Sequence, residues 1–305
     1  MNEDVFNSKL PNLKHLSYLL ALEKHKHFNR AAQACFVSQS TLSSAILKLE
    51  EQLSCQLLER DHKSFIFTNH GKQVINLARQ LLLNANELVA FAKQQGGAGT
   101  GSIRVGCIPT IAPFLLTDIA QQWRTKEPKL DLFFCEDTTE NLMQQLEQGE
   151  IDCAILAFPI QKHNFSMKLL GKDKFYIAGD KELISKLKKS FNYNVLPKKS
   201  IFLLKKEHCL TEHAVSACQL ADTSRINSFS ASSLATLVQM TSFHQGVTFL
   251  PKMAIEKGFG KPEGLSIQAI PGDVYREIGM VWRKTSVREQ AFHALGEVAS
   301  SLIGK

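Results

Sequence analysis

Apolar positions near the start of the chain recur at helical spacing. Leu13, Leu16, Leu19 and Leu20 predict a first helix, and "FNRAAQACF" predicts a second with Asn29 as its N-cap. After Val37 the run "SQSTLSSAILKLEEQL" predicts a third. Ser38 offers a hydroxyl to an orphan backbone N–H, and Leu42, Ile46, Leu49 and Leu53 share one side. Gln39, Ser40, Ser43, Ser44 and Lys48 lie off that stripe. A short helix, a tight turn and a polar-faced helix form a helix-turn-helix pattern. "LLERDHKSFIFT" then predicts two short strands around a basic loop, a wing. A long helix is expected from Thr68 or Asn69. Within it Val74, Ala78, Leu81, Ala85, Leu88 and Ala92 alternate spacings of four and three, a coiled-coil seam suited to dimerisation, with packing on its own domain as the other reading.

Glycines 97, 99 and 101 in "QQGGAGTGS" superficially suggest a nucleotide loop, but the segment follows a helix and precedes the strand "IRVGC", so it is expected to be a flexible linker. From Ile103 strands and helices alternate. "IRVGCI", "LDLFFCE", "DCAILAF", "KFYIAG", "IFLL", "GVTFL", "LSIQAI" and "EIGMVWR" are the strand candidates; "APFLLTDIAQQWR", "ENLMQQLEQ" and "SSLATLVQM" are helices between them. This predicts an α/β region with a largely parallel sheet, long enough for two subdomains around a cleft. The expected organisation is a winged helix-turn-helix (mainly α) over residues 1–67, a linker and dimerisation helix over 68–95, a hinge over 96–102, and an α/β effector domain over 103–305. Its first subdomain takes about 103–168 plus 271–305 and its second about 169–270.

Composition adds limits rather than identity. The 305 residues are 44% hydrophobic and 21% charged, ordinary for a globular protein. The stretch "MNEDVFNSKLPNLKHL" lacks a basic region followed by an apolar run, and no apolar stretch approaches the ~20 residues of a membrane helix, so a cytoplasmic protein without membrane contact is expected. The net charge of +7 permits a nucleic-acid partner without identifying one. Seven cysteines, an odd number with no CxxC, argue against a structural disulfide framework. Cys35, Cys55, Cys107, Cys135 and Cys153 sit in apolar contexts and are expected in the core.

The stretch "FNRAAQACFVSQSTLSSAILKLEEQLSCQLLERDHKSFIFTNHGK" resembles the winged helix-turn-helix of LysR-type transcriptional regulators. The resemblance is carried by the "AA" of the second helix, "VSQSTLS", "LKLEEQL", "LLER" and the Thr68-x-x-Gly71 start of the linker helix. The α/β region is similar to the family's effector domain, two Rossmann-like subdomains in a periplasmic-binding-protein-like arrangement. Such a protein is not an enzyme and needs no cofactor; the resemblance implies double-stranded DNA, RNA polymerase and its own copies, as homodimer or homotetramer, as partners. Short polar side chains at a helix N-terminus fit the major groove, making Gln39, Ser40 and Ser43, next to Ser38, the candidates for reading bases. Lys48, Arg60 and Lys63 are suited to phosphates.

"KKEHCLTEHAVSAC" narrows the resemblance to the peroxide-sensing members of the family, as Cys209 directly follows a histidine and Cys218 stands nine positions on. "GCIPTIAPFLL", "EDTTENL" and "YREIGMVWR" agree, and imply that Thr110, Thr139 and Arg276 hold and activate hydrogen peroxide. "SASSLATL" places Ser232 and Ser233 at the start of the family's cleft-facing helix. A thiol attacks peroxide as thiolate, so its pKa must fall below ~8.5. His208, Lys205, Lys206 and a helix start near Thr211 are suitable neighbours. The resemblance makes Cys209 the peroxidatic thiol, Cys218 the resolving one, and a thiol reductant a further partner. Within an intact helix nine residues separate the two Cα atoms by ~13.5 Å, beyond the 4.4–6.8 Å of a disulfide, so bonding requires refolding. His213 departs from the glutamine usual among these relatives. Three other readings remain: a zinc site from His208, Cys209, His213 and Cys218, whose spacing fits no common pattern; a family member responding to a metabolite in the cleft, with inert cysteines; and a thiol peroxidase, which would not need a winged segment.

Overall fold

The computed structural model describes residues 10–60, 64–95, 101–160, 164–217 and 222–303, and divides into two compact units, residues 1–93 and 94–305. The first holds α1 (Leu13–His25), α2 (Phe28–Ala34), α3 (Gln39–Leu53), β1 (Leu58–Arg60), β2 (Phe65–Phe67) and α4 (Asn69–Gln95). Leu16, Leu19 and Leu22 of α1, Ala31 and Ala32 of α2, and Leu42, Ile46 and Leu49 of α3 close one core. The N-cap of α2 is His27 rather than Asn29: Phe28 packs against this core and its ring meets Phe65 edge-on at 5.1 Å, so the helix already includes Phe28, and His27 Nδ1 accepts from Asn29 N at 3.2 Å. Ser38 caps α3 as expected, accepting from Thr41 N at 3.1 Å. Strands β1 and β2 pair antiparallel, Glu59 opposite Ile66, and make the wing.

The long helix departs in part from the expected seam. Ile75 and Ala78 are buried, with Val74 and Leu82 packed on the same core, so its first turns serve its own domain. Leu77, Leu81, Leu88 and Val89 remain exposed. Its start is fixed by Thr68, whose hydroxyl donates to the Gln56 carbonyl at 2.8 Å and accepts from Gly71 N at 2.8 Å.

The second unit contains β3 (Gly101–Cys107), α5 (Ala112–Lys126), β4 (Leu130–Glu136), α6 (Thr139–Gln148), β5 (Cys153–Phe158), β6 (Phe165–Gly179), α7 (Lys181–Ser190), β7 (Ile201–Leu204), α8 (Cys209–Ala217), β8 (Ile226–Ala231), α9 (Leu234–Phe243), β9 (Val247–Pro251), α10 (Lys252–Glu256), β10 (Ser266–Ala269), β11 (Tyr275–Arg283) and α11 (Glu289–Leu302). The sheet runs β4-β3-β5-β11-β6-β9-β7-β8, with β10 also on β6. It is mixed rather than largely parallel. Strand β3 pairs parallel with β4 and β5, and β7 with β8 and β9; β6 and β11 pair antiparallel with each other and with all their other neighbours. One of these strands carries the chain from the first half to the second and the other brings it back, so the two must run in opposite directions.

Two cores lie along this sheet. One joins Ile103, Trp123, Ile155, Leu170, Ile278, Trp282 and Phe292; the other joins Phe175, Ile177, Phe202, Leu237 and Phe249, with Val274 packed on it. The change of core falls between Leu170 and Phe175 on β6 and between Val274 and Ile278 where the chain enters β11. Helix α5 touches both cores, through Leu115 and Phe114 respectively. Among the described residues no helix is long and apolar enough to cross a membrane.

Gly71 shows how closely α4 seats on the wing domain: a Cβ there would lie 2.2 Å from the Leu57 carbonyl oxygen, a backbone atom that cannot move aside. Gly71→Ala should destabilise the N-terminal unit by about 1–3 kcal/mol, visible in calorimetry as a lower melting transition, whereas Lys72→Ala on the exposed side should leave it in place.

Candidate functional site

Where the two cores meet, β6 and β11 set Asp173 opposite Arg276. Both are buried, Arg276 to 1% exposure. Arg276 Nε donates to Asp173 Oδ2 at 3.0 Å, Nη1 to Thr110 Oγ1 at 2.8 Å and Nη2 to the Thr110 carbonyl at 2.8 Å. Met253 N at the head of α10 donates to Asp173 Oδ1 at 3.2 Å. A guanidinium fits this set because its planar fork satisfies a carboxylate, a hydroxyl and a carbonyl together, as an ammonium could not. Burial pushes the Asp173 carboxyl up from its ordinary range, against Arg276, which holds it down. Thr110 sits in the turn between β3 and α5, so the knot joins the crossing strands to the first helix of the effector unit.

Cys209 is the first residue of α8, two positions before the expected start, where the helix dipole favours a thiolate. Its neighbour Leu210 belongs to the second core, while the Cys209 side chain packs against the first. The thiol is therefore mostly enclosed, and burial pushes its pKa up from the ordinary value of 9.0; the Arg276 charge and hydrogen bonding by Thr139 pull the other way. This corrects the expectation of a pKa below the free value. The cation acting on the sulfur is Arg276, distant in sequence, opposed by the Glu212 carboxylate of α8, whereas Lys205 and Lys206 are exposed. Thr139 opens α6, and its hydroxyl is buried without a nitrogen or oxygen partner.

His208 is buried immediately before α8; its carbonyl accepts from Thr211 N, and its Nε2 has no hydrogen-bond partner, standing 4.0 Å from Glu207 Oε1. Ser233 serves its own helix: its hydroxyl caps α9, accepting from Thr236 N at 3.2 Å and donating to Thr236 Oγ1 at 3.1 Å. Cys218 and the side chain of His213 lie outside the described residues. The six described cysteines are free thiols; Cys107 and Cys153 are buried, and Cys35, Cys55 and Cys135 are partly buried against the cores. Asp173 is the site residue that sequence reasoning missed. No motif surrounds it, and only the register of β6 against β11 brings it to Arg276.

In the first unit, Gln39 and Ser40 are exposed on the first turn of α3. The Ser38 hydroxyl is engaged by the cap and lies 2.9 Å from Ser40 Oγ and 2.7 Å from Thr41 Oγ1. Arg60 Nη1 donates to Ser43 Oγ at 3.4 Å, Nη2 pairs with Glu50 at 3.4 Å, and the guanidinium lies 5.6 Å from the Phe28 ring centroid. Glu50 is itself fixed by Leu57 N and Leu58 N. On the other flank Lys14, His15 and Tyr18 of α1 line a pocket of about 490 Å³ with Ser40, Thr41, Ser44, Ala45 and Lys48. Lys63 lies outside the described residues.

A winged helix-turn-helix followed by a two-core α/β unit defines a DNA-binding regulator with an effector domain. The sequence comparisons place it more closely. Residues 13–72 match the bacterial regulatory helix-turn-helix protein model of the LysR family, and residues 96–302 match the LysR substrate binding domain. The chain belongs to the LysR family of transcriptional regulators. It is 34% identical over 290 residues to the HTH-type transcriptional regulator EstR of Acinetobacter baylyi, covering 95% of this chain and 96% of that one. It is 33% identical over 286 residues to the DNA-binding transcriptional dual regulator OxyR of Escherichia coli, covering 94% of each. Among solved structures, the reduced regulatory domain of OxyR2 from Vibrio vulnificus is 46% identical and superposes with a TM-score of 0.65, over 68% of this chain and 98% of that one.

The Arg276–Asp173 pair yields a stability prediction. Removing one partner leaves a buried charge uncompensated, so Asp173→Asn should destabilise the effector unit by about 3–5 kcal/mol in denaturant unfolding, although it keeps the hydrogen-bonding shape.

Proposed function

We propose that this LysR-family regulator senses hydrogen peroxide through Cys209 and Cys218 and changes transcription of oxidative-stress genes. The observation that carries the reading is the Cys209 environment: a thiol at a helix N-terminus, next to an otherwise unpartnered Thr139 hydroxyl and within the field of Arg276. Peroxide is small and offers two donors and four lone pairs, which suits Thr139, Thr110 and the buried His208. The Cys209 thiolate attacks one peroxide oxygen, the O–O bond breaks, hydroxide leaves, and the sulfur becomes a sulfenic acid. The Cys218 thiol then attacks that sulfur, water is lost and a disulfide forms, to be reversed by a thiol reductant.

The pairing doubles as a switch. From Cys209 to Ala217 the helix rises ~12 Å, and one further peptide step spans ~3.8 Å, so no disulfide to the next residue fits α8 as it stands. Bond formation therefore unwinds α8. The similarity to E. coli OxyR and V. vulnificus OxyR2 supports the reading. The regulator would act in the cytoplasm as a homodimer or homotetramer on double-stranded DNA, presenting a changed surface to RNA polymerase; the exposed Leu77, Leu81, Leu88 and Val89 of α4 suit self-association.

A second reading has its own support. EstR is as similar to this chain as OxyR is, and burial raises the Cys209 thiol. On that reading a metabolite occupies the cleft and the cysteines are inert.

Thiol mapping by mass spectrometry separates the two. Mild peroxide should produce a 209–218 disulfide and alter transcription from bound DNA, and Cys209→Ser should lose both effects while DNA binding stays largely intact. An unbonded pair in treated wild-type protein decides for the metabolite. The raised thiol pKa also sets the pH profile. Thiolate is the minor form near neutrality, so the rate of Cys209 oxidation should climb about tenfold per unit between pH 6 and 8 without levelling. Thr139→Val, which removes the hydrogen bond that favours the thiolate, should slow oxidation about tenfold or more at pH 7 in peroxide competition assays.

A further inference from the structure

Helix α3 buries Leu42, Ala45, Ile46 and Leu49 on one side. At ~100° per residue, Leu47 falls about 140° from Leu42, near the middle of the opposite, outward face. Ser40, Ser43 and Ser44 lie within about 60° of it on the same wheel. Leu47 is 52% exposed, a branched apolar side chain with those serines toward the helix N-terminus and the exposed Glu51 one turn further on. Single surface leucines are common and need no explanation. The setting of this one is what distinguishes it. On one side of the face Arg60 is braced against Ser43 and Glu50. On the other, Lys14, His15 and Lys48 line the pocket shared with Ser40 and Ser44, and no acidic side chain among the described residues lines it. Cations thus bracket the face on both flanks, the arrangement that two sugar-phosphate strands on either side of a major groove require.

In such a groove almost every feature of the base edges is a hydrogen-bond donor or acceptor; the exception is the thymine C5 methyl. Leu47 has no donor or acceptor. We propose that Leu47 is a specificity-determining residue that reads a thymine methyl in each half-site, while the serines and Gln39 read polar base edges. This inference rests on α3 as the base-reading helix and is independent of the thiol chemistry.

The test uses the full-length protein and the duplex sequence it enriches from a randomised double-stranded library. Each thymine is replaced singly by deoxyuridine, which deletes the methyl and leaves the hydrogen-bonding edges unchanged. One thymine per half-site should be sensitive, with binding weakened about fourfold, the loss of one buried methyl. Leu47→Ala, which removes the contact in both half-sites, should bind the parent duplex about sixteenfold more weakly and should no longer distinguish thymine from deoxyuridine there. Three results overturn the proposal: no thymine is sensitive to the replacement, Leu47→Ala keeps the full sensitivity, or Leu47→Ala weakens specific and non-specific duplexes equally. Gln39→Ala and Ser40→Ala serve as a separate arm: if neither alters sequence preference, the base-reading role of α3 itself fails, a different failure from that of Leu47 alone.

Discussion

The buried guanidinium of Arg276 is the constraint around which the effector unit is organised. A charge that deep is tolerable only when its donors are met, and Asp173, the Thr110 hydroxyl and the Thr110 carbonyl meet it from two segments far apart in sequence. Both members of the ion pair lie where the structure changes from one core to the other. Asp173 stands between Leu170 and Phe175, and Arg276 between Val274 and Ile278, each pair split between the two cores. The ion pair therefore joins the halves of the domain at their crossing. Thr110 extends the tie to α5, and Met253 N on Asp173 extends it to α10. The same cation acts on Cys209, so the group that holds the halves together also tunes the thiol between them.

Cys209 occupies a comparable position in miniature. Its helix belongs to the second core through Leu210 and Ala214, while its own side chain packs on the first. Enclosure by apolar neighbours disfavours the thiolate; Arg276 and Thr139 favour it. Burial outweighs Arg276 and Thr139, so the protonated form is favoured. The Thr139 hydroxyl has the Cys209 sulfur but no nitrogen or oxygen partner, and His208 Nε2 has no hydrogen-bond partner.

Legibility in the sequence followed the range of the interactions involved. The helix-turn-helix was readable because its signals are local: the Ser38 cap, the Leu42–Ile46–Leu49 stripe and the wing pattern lie within a few residues of one another. Strands made of apolar runs were equally plain. The first half of β6 and all of β8 escaped notice because they alternate buried and exposed positions and carry polar side chains, "FSMKLLGKD" and "INSFSA". Strand direction was misjudged, since alternation of element types does not reveal that β6 and β11 run as an antiparallel pair. At the site, Thr110, Thr139, Cys209 and Arg276 were found through motif resemblance, whereas Asp173 depended on strand register alone. The expected role of Lys205 and Lys206 failed because sequence adjacency is a poor guide to which charge faces a side chain. Ser233 was assigned to the cleft for its place at the head of α9, but that place is why its hydroxyl is occupied with capping.

The stability of α8 bears on whether such a helix can act as a switch at all. Nine residues are too few for a helix to persist on its own in water, so α8 depends on tertiary contacts. Those contacts are modest: Leu210 and Ala214 are its fully buried side chains among the described residues, and Thr211 adds one hydrogen bond to the Leu204 carbonyl. Unwinding it would cost a few kcal/mol, roughly the burial of a leucine and an alanine. The driving force for a disulfide is the potential of the oxidant against that of the dithiol, about 1.4 kcal/mol for every 30 mV, so a cost of this size would be met by a modest potential difference. Unwinding would also release the contact that Cys209 makes with the first core, the one such contact of α8 among the described residues. A chemical event at one sulfur would in that way be converted into a loosened joint between the two halves of the domain.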